Sequence, residues 1–492
     1  MTMPAEIRSA LPPSLAAVAA PAAGLLQRRY GAGDTFRGCF ASAWTTTLRG
    51  TPGDPFVITG DIPAMWHRDT LGQLRPYLVA AGDPEVRRVL GGVVRRMARG
   101  VLLDPYANAI NDGPTGAHAD EHDRPPPGPG VWERKYELDS LCAVLSSGYE
   151  LWAAGGGTDH LDDEFGAAAV RILELWRTEQ DHERHSPYRF ERLAGEFQGD
   201  TLDRGGLGTP VARTGMTWSG FRPSDDRCEY GYLVPANAAA VVALDGLVHL
   251  GRNDLLPADV TSSALALAAE IAAGVARHGV VEAGMARHGV VEAGTARHGV
   301  VGAGVARDGL VGADVVDAPA GPVYAYEVDG LGGANLMDDA NVPSLLSLPY
   351  LGWCDRADPT YRRTRAMVLS DVNPYFYRGA AATGVGSPHT PARHVWPMAL
   401  CMQALTAESA AEADGLFRTL LATDAGAGLM HESLHVDDPA VFTRPWFAWA
   451  NSLFAELGLR LAGTPVPRPI PPMPDEVAAA VREVRPDLTL HR

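Results

Sequence analysis

Residues 215–237 read GMTWSGFRPSDDRCEYGYLVPAN, and this stretch joins a polar loop to the start of a long apolar run. A serine and two acids, Asp225 and Asp226, stand before the run. Side chains of this kind cap helix N-termini, where carboxylates face the positive end of the helix dipole. With Arg222 and Trp218 just upstream, the same acids also suit the mouth of a polyol-binding pocket, where one of them protonates a leaving group. The stretch by itself leaves both interpretations open.

The pattern around this stretch repeats along the chain. About a dozen apolar runs of roughly 12–18 residues with helical spacing alternate with polar, aromatic and Gly/Pro-rich loops. Strand signals are few and short, and the residues suited to chemistry fall on about every second connection. This alternation is typical of a ring of paired helices. The sequence therefore predicts an all-α barrel with its chemistry at one end.

The composition of the chain limits the classes of function that the protein can have. Apolar residues make up 46% of the 492 residues and charged residues 21%, which fits a large folded core. The net charge of −17 argues against a nucleic-acid partner, which requires a basic stripe. Five scattered cysteines without a CxxC pair indicate reduced thiols and a cytoplasmic location. No apolar segment is interpreted as a membrane span or signal peptide, so no membrane partner is predicted.

Lysine usage is unusual in this chain. Only one of the 42 basic residues is a lysine, Lys135 in WERKYELDS, and the others are arginines. An ammonium is a compact point charge with rotatable donors, whereas a guanidinium is flat. We interpret Lys135 as a position that needs an ammonium, with chance as the rival interpretation.

A second chemistry-rich junction lies within residues 51–77, TPGDPFVITGDIPAMWHRDTLGQLRPY. Trp66, His67, Arg68 and Asp69 stand together where a loop meets a predicted helix. A core tryptophan beside a surface ion pair gives the same local sequence. Four such residues at one junction favour a sugar-binding corner, because aromatic rings cover sugar faces and charged groups bind hydroxyls.

Four tandem decapeptides occupy residues 274–313, beginning with GVARHGVVEA. A ten-residue period matches none of the common solenoid repeats. Histidines recur as His278, His288 and His298, but no cysteine or second histidine stands near any of them to complete a metal site. We interpret the array as a duplicated surface insertion with little role in the chemistry.

The motifs that are missing and the acids that are present favour one reaction class. A Gly-x-Ser-x-Gly elbow, a P-loop, an HExxH zinc motif and a dinucleotide fingerprint do not occur in a convincing context. Hydrolysis of a glycosidic bond needs one carboxylic acid to protonate the leaving oxygen and a second carboxylate as nucleophile or as base for water. Acidic loops at Asp225/Asp226 and at Glu432 supply such a pair. No metal site and no cofactor are predicted.

A set of strings occurs in order and covers nearly the whole chain from about Phe36 to Leu459: GDIPAMWHRDT, DPYANAIND, WERKYELDSLC, TGMTWSGFRPSDD, YAYEVDG, MDDANVPSLLSLPYLG, GSPHTP and HES…FTRPWFAWANSL. Together they resemble glycoside hydrolase family 125, the exo-acting α-1,6-mannosidases. One departure is His67, which stands where the family string has an apolar residue. This histidine either retunes the pocket or repacks its surroundings.

The resemblance implies a single (α/α)6 toroid spanning residues 1–492, a metal-independent mechanism and inversion at the anomeric carbon. It implies that the general acid is an Asp of the Ser-Asp-Asp step, Asp225 in preference to Asp226, and that Glu432 is the general base. The substrate is a mannose-containing oligosaccharide with a terminal α-1,6-linked mannose. The predicted substrate-binding residues are Asp61, Trp66, Arg68, Asp69, Asn108, Glu133, Lys135, Trp218, Arg222, His389, Arg444 and Trp446.

Two alternatives remain at this stage. Another inverting (α/α)6 exo-glycosidase, such as an α-glucosidase, would use the same acids with different hydroxyl contacts. A glycan-binding protein without catalysis would keep the pocket, but the acids at both loops argue against it. The sequence gives no oligomeric state.

Overall fold

A computed structural model describes residues 10–194, 198–283, 320–467 and 469–490 of the chain. Helices dominate the described residues. The helices are α1 (Pro13–Tyr30), α2 (Gly33–Ser42), α3 (His67–Leu74), α4 (Pro84–Leu103), α5 (Leu138–Leu151), α6 (Asp163–Glu179), α7 (His182–His185), α8 (Asp203–Gly206), α9 (Val234–Arg252), α10 (Ala258–His278), α11 (Leu348–Leu351), α12 (Pro359–Val368), α13 (Pro397–Leu405), α14 (Ala410–Ala422), α15 (Ala448–Leu461) and α16 (Asp475–Val484).

The strands are short and pair into separate small antiparallel sheets. Within the described ranges they are β1 (Leu48–Thr51), β2 (Asp54–Val57), β3 (Met65–Trp66), β4 (Ala109–Ile110), β5 (Asp123–Arg124), β6 (Val131–Glu133), β7 (Glu191–Arg192), β8 (Tyr232–Leu233), β9 (Val280–Glu282), β10 (Pro322–Tyr324), β11 (Glu327–Val328), β12 (Ala334–Asn335), β13 (Phe376–Arg378), β14 (Thr383–Val385), β15 (His394–Val395) and β16 (Leu434–His435). The largest of these sheets has three strands in the order β3-β4-β6. It joins the Trp66 corner to Glu133, because Trp66 pairs with Ala109 and Ala109 with Glu133.

Six pairs of helices build the barrel, each an outer helix followed along the chain by an inner one: α2/α3, α4/α5, α6/α9, α10/α11, α12/α13 and α14/α15. Around the inner ring α15 packs on α3, α3 on α5, α5 on α9 and α9 on α11, while α13 packs on α15. Outside the ring α1 packs on α2, and α16 packs on α10. This is the (α/α)6 arrangement that the sequence predicts, with the short β pieces confined to the connections.

The sequences of inner and outer helices differ in the way that burial requires. The inner helix α9 reads VPANAAAVVALDGLVHLGR and is buried along nearly its whole length. The outer helix α4 reads PEVRRVLGGVVRRMARGVLL, with apolar residues on one face and arginines on the other. A helix that is apolar all round lies inside a protein, whereas an amphipathic one lies at its surface.

Two helices are long and apolar enough to cross a membrane by length and composition, contrary to the sequence-based expectation. They are α9 and α10, whose apolar stretches are 83% and 44% buried inside the protein. Here α9 belongs to the inner ring and α10 packs against it. Their hydropathy is therefore accounted for by the barrel core.

The chemistry gathers at one end of the barrel. Because an outer helix separates consecutive inner helices, the six inner helices run in the same direction and their N-termini meet at one end. The polar loops of the sequence lead into these N-termini. The residues of interest accordingly lie in the first turn of an inner helix or in the connection that leads to it: Arg68 and Asp69 at α3, Glu137 at α5, Asp225 before α9, Asn341 before α11, His389 before α13 and Glu432 before α15.

The first decapeptide is part of the barrel, which corrects the predicted boundary of the insertion. Residues 274–278 are the last turn of α10, and residues 280–282 form β9, which pairs with β10. Within this unit Val275 and Ala276 are fully buried. The next three units, residues 284–313, lie outside the described residues, so their predicted surface role stays a prediction.

Candidate active site

The Ser-Asp-Asp step forms a tight turn well before α9. The amide of Asp225 donates to the carbonyl of Arg222 at 3.0 Å, and the amide of Arg222 donates to the carbonyl of Asp226 at 2.7 Å. The helix α9 begins only at Val234, and its N-cap position, Leu233, makes no side-chain cap. The helix-cap interpretation of the two acids is therefore wrong. Asp225 has a left-handed backbone with φ of 66°, a conformation that costs free energy for a residue other than glycine.

A pocket lies at the end of the barrel where the inner N-termini meet. It encloses about 430 Å³ of empty space, part of it open to solvent, and its lining combines carboxylates, cations, aromatic rings and an amide. The lining residues are Thr59, Ile62, Trp66, Arg68, Asp69, Pro223, Ser224, Asp225, Asn341, His389, Trp396, Glu432, Arg444 and Phe447. Seven of them are predicted site residues: Trp66, Arg68, Asp69, Asp225, His389, Glu432 and Arg444.

Arg68 lies among four carboxyl groups. Its Nη1 lies 2.5 Å from Oε2 of Glu137 and 3.0 Å from Oδ2 of Asp139, while its Nη2 lies 3.5 Å from Asp69 and 3.8 Å from Asp225. One guanidinium does not neutralise three buried carboxylates and the partly exposed Asp225, and this excess of negative charge favours protonation of the buried groups. Burial raises the pKa of Asp69 to about 6, against the opposing charge of Arg68.

Asp225 and Glu137 titrate as a pair. Burial raises the pKa of Glu137 well above its ordinary value, and the charges of Asp225 and Asp139 raise it further against the charge of Arg68. Burial also acts to raise the pKa of Asp225, but a hydrogen bond with Glu137 and the charges of Lys135 and Arg68 outweigh it and hold that pKa at about 2. Of the two carboxyl groups, Glu137 therefore keeps its proton and Asp225 loses its own more readily.

Asp226 faces away from the pocket. It is absent from the lining, and its Oδ2 accepts a hydrogen bond of 3.3 Å from Ser224 Oγ. Its Oδ1 lies 3.9 Å from Nδ1 of His389. Burial lowers the pKa of His389, but Asp226 outweighs this through a hydrogen bond and its charge, and the pKa rises to about 9. The geometry thus separates two acids that the sequence left together: Asp225 enters the pocket, and Asp226 holds His389.

Glu432 enters the pocket from the loop between α14 and β16. It is 7% exposed, and its Oε2 accepts a hydrogen bond of 2.8 Å from Thr443 Oγ1. Its Oε1 lies 3.4 Å from Nε of Arg444. The strand β16 begins two residues after Glu432 and pairs with β15, and this pairing fixes the backbone beside the side chain. A hydroxyl and a guanidinium thus hold this carboxylate in a fixed position.

Four predicted substrate-binding residues lie behind the pocket instead of lining it. Asn108 donates to Glu133 at 2.9 Å and to Glu137 at 3.2 Å. Lys135 donates to the main-chain carbonyl of Asp225. Arg222 pairs with the buried Glu327 at 2.5 Å. Asn108, Glu133, Lys135 and Arg222 thus support the residues that line the pocket.

Two further predicted residues lie at the rim. Asp61 is exposed, and its carboxylate lies 3.5 Å from Nε of Arg444. The ring of Trp446 lies over Gly60, where a Cβ would come within 3.1 Å of it. Gly60 has a φ of 126°, so both its backbone conformation and this close approach require glycine.

Trp218 does not contact the pocket, which corrects its predicted role. It is 1% exposed and lies in the core. Its ring stacks on the imidazole of His182, with ring centroids 3.7 Å apart. His182 in turn lies 2.6 Å from the buried carboxylate of Glu179. Trp218 therefore packs on a buried polar pair in the core and supports the loop that carries it. No sugar can reach the ring there.

His67 repacks the wall of the barrel. Its side chain is fully buried, and a Cβ added at Gly100 of α4 would lie 2.6 Å from its ring. Burial lowers the pKa of His67 to about 4. The ring faces α4 and is absent from the pocket lining, so of the two sequence interpretations the structure favours repacking.

Sequence reasoning missed several lining residues. Asn341, Trp396 and Phe447 enter the pocket from the loops before α11, α13 and α15. The ring nitrogen of Trp396 donates to Thr390 Oγ1 at 2.9 Å, which ties it to the Gly-Ser-Pro-His-Thr-Pro loop. Phe447 directly follows Trp446, and all three residues precede an inner helix, so the rule that every inner N-terminus contributes would have found them.

A glycoside hydrolase needs two carboxyl groups in one pocket. Here different loops of an (α/α)6 barrel bring Asp225 and Glu432 into the same pocket. The protein is therefore a glycoside hydrolase. Among the described residues no group of three or more His, Cys, Asp or Glu side chains is arranged to hold a metal ion.

Comparison with known proteins gives the family. The model of the metal-independent α-mannosidases, GH125, matches residues 32–293 and 286–459, and the chain belongs to this family. The two matched segments overlap within the tandem decapeptides. The protein is thus an α-mannosidase, and its family acts without a metal.

Three known proteins are similar to this chain. A metal-independent α-mannosidase from Streptococcus pneumoniae, solved in a non-productive complex with α-1,6-mannobiose, is 42% identical, with 91% of this chain and 97% of that chain covered and a TM-score of 0.81. The Meiotically up-regulated gene 157 protein of Schizosaccharomyces pombe is 39% identical over 454 residues, 87% of this chain and 81% of that protein. A bacterial glucoamylase complexed with acarbose is 12% identical, with 90% of this chain and 58% of that chain covered and a TM-score of 0.55, and shares the fold.

Proposed function

We propose that this α-mannosidase removes terminal, non-reducing α-1,6-linked mannose from oligosaccharides with inversion at the anomeric carbon. The observation that carries the proposal is that Asp225 and Glu432 line the same pocket while each is held by its own set of partners. The α-1,6 linkage is supported by the similar enzyme from Streptococcus pneumoniae, which was solved with α-1,6-mannobiose.

The two carboxyl groups take different roles because their surroundings differ. Glu432, held by Arg444 and Thr443, is the base that removes a proton from water as the water oxygen bonds to the anomeric carbon. Asp225 takes over the proton that Glu137 keeps and passes it to the glycosidic oxygen as that bond breaks. Water is added across the bond, and the released mannose is the β anomer.

The other lining residues bind the sugar. Trp66, Trp396 and Phe447 offer apolar faces for the ring of the mannose. Arg68, Asn341 and Arg444 lie in the same lining, where they can donate to sugar hydroxyls. His389, charged below a pKa of about 9, adds a further donor. A small pocket of this kind takes one terminal sugar, which supports exo action.

Proton NMR of the enzyme acting on α-1,6-mannobiose tests the proposal. We expect β-mannose as the first product, before it equilibrates to the α anomer. Initial α-mannose would overturn inversion and make Glu432 a nucleophile. No release from α-1,6-mannobiose, with release from another α-linked disaccharide, would overturn the linkage and point to another exo-glycosidase such as an α-glucosidase.

We further propose that residues 1–492 act as one catalytic domain in the cytoplasm. All five cysteines are buried and unpaired, which is typical of proteins kept in a reducing compartment. Fractionation of cells followed by detection of the protein tests the location, and recovery outside the cytoplasm would refute it.

A further inference from the structure

The only lysine of the chain stands directly behind the proposed acid. The sequence has 42 lysine and arginine residues, of which Lys135 is the one lysine. Its side chain is 3% exposed. It lies between β6, which ends at Glu133, and α5, which begins directly after Glu137.

The ammonium group joins two loops that are distant in sequence. Its Nζ donates to the main-chain carbonyl of Asp225 at 2.9 Å and to Oδ1 of Asp200 at 2.8 Å. Oε1 of Glu133 lies 3.9 Å away, and the Phe221 ring lies below the ammonium at 5.3 Å. Burial acts to lower the pKa of Lys135, but the charges of Glu133, Asp225 and Asp200 outweigh it and keep the group charged.

The carbonyl that Lys135 binds belongs to a residue in an unfavourable conformation. Asp225 has a φ of 66°, in the left-handed region that residues other than glycine rarely adopt. Such a conformation persists only where the surroundings hold it. Lys135 supplies a charged donor to the carbonyl of that residue, and the direction of the Asp225 side chain follows from its backbone.

An arginine would not fit this position. One nitrogen serves a carbonyl and a carboxylate at the same time, which needs a compact group with donors in several directions. A guanidinium is larger and planar, and its donors lie in one plane. The space is closed by the Phe221 ring and the carboxylate of Glu133. This accounts for a lysine here in a chain that uses arginine at its other basic positions.

We propose that Lys135 is a positioning residue that fixes the backbone of Asp225 and thereby sets where the acid meets the glycosidic oxygen. The inference rests on the proposed role of Asp225 as general acid. It replaces the sequence-based expectation that Lys135 contacts the sugar.

The variant Lys135→Arg tests the position while keeping the charge. We expect kcat on α-1,6-mannobiose to fall by about 100-fold, the order of loss for a misplaced catalytic group, with KM changed by less than about threefold because Lys135 does not touch the pocket. A kcat equal to that of the wild type would overturn the inference while leaving the proposed function intact. A rise in KM with kcat unchanged would instead restore the substrate-binding role.

Arg192→Lys is the matched control. Arg192 lies 2.9 Å from Glu133 and 3.8 Å from Asp200, so it shares two acidic neighbours with Lys135. It has no hydrogen bond to Asp225 among the described residues. We expect this variant to lose thermal stability and keep kcat within about threefold of the wild type. An equal loss of kcat in both variants would show that any disturbance of the acidic cluster is enough, and would overturn a specific role for Lys135.

The variant Lys135→Ala tests whether the loss of kcat comes from the missing ammonium group or from a failure to fold. We expect ethylammonium ions, which fit the vacated space and donate to the Asp225 carbonyl, to restore part of the lost kcat, and guanidinium ions to restore none. Failure of ethylammonium in a folded Lys135→Ala protein would overturn the inference. If wild-type enzyme hydrolyses no α-mannoside, the proposed function fails first, and the two failures are thereby distinguished.

Discussion

Glu137 and Asp225, 88 positions apart in the chain, meet at the guanidinium of Arg68, which lies 2.5 Å from Glu137 and 3.8 Å from Asp225. Two carboxyl groups beside one guanidinium repel each other, so one of them keeps its proton more readily than the other. In the proposed mechanism the proton that Glu137 keeps is the one that Asp225 delivers to the glycosidic oxygen. The titration that matters for catalysis belongs to the pair.

Replacement of Glu137 by Gln removes this proton and keeps the size of the side chain. We expect kcat on α-1,6-mannobiose to fall by about 100-fold, because general acid catalysis contributes at least this much. A 2,4-dinitrophenyl α-mannoside, whose leaving group needs no proton, should lose far less. Steady-state rates on both substrates measure the difference. An equal loss on both would show that Glu137 acts only through the fold.

The two acids of the Ser-Asp-Asp step should behave differently when each is replaced by Asn. Asp225→Asn removes the acid in the pocket, so we expect kcat on the disaccharide to fall by about 1,000-fold, within the range for lost acid catalysis. Asp226→Asn removes the charge that faces His389 while its amide oxygen can still accept from Ser224, and we expect a loss of about tenfold or less. The opposite ranking of the two kcat values would exchange their roles.

The barrel was predictable from the sequence because it rests on local signals. Helical periodicity and polar loops at alternate connections suffice to predict six pairs of helices with one chemical end. The roles of Trp218 and Lys135 were not predictable, because they depend on contacts between distant loops. The ring of Trp218 meets His182, and the ammonium of Lys135 meets Asp225, 90 residues away. The choice between Asp225 and Asp226 likewise depended on which side chain enters a pocket that several distant loops build together.

His389 should make the stability of the protein depend on pH. Its pKa is raised from 6.5 to about 9, so its charged form stabilises the folded state. This contribution is complete below 6.5 and is lost as the pH rises through about 9. Because 38% of the side chain is exposed, solvent screening should limit it to about 1 kcal/mol or less.

Urea unfolding of the wild type and of His389→Gln across this pH range measures the contribution. We expect the free energies of unfolding to differ most at the acidic end and to converge above pH 9. The variant Asp226→Asn serves as the control, since it removes the largest source of the raised pKa. A difference that grows with pH would contradict the assignment.

Deletion of residues 284–313 should leave the enzyme active on α-1,6-mannobiose. The described chain stops at Ala283 and resumes at Ala320, and the amide of Ala283 donates to the carbonyl of Gly321 at 3.3 Å. The two ends are therefore already joined by the β9–β10 hairpin, and residues 314–319 are long enough to close it, because hairpin loops commonly need about two to five residues. The first decapeptide is retained, since it completes α10 and β9.

We expect kcat and KM to stay within about twofold of the wild type, in line with the tolerance of surface connections to changes of length. Matched deletion of residues 274–283 should instead unfold the protein, because it removes buried side chains of α10. Loss of activity in a folded protein lacking residues 284–313 would show that the three repeats take part in the reaction.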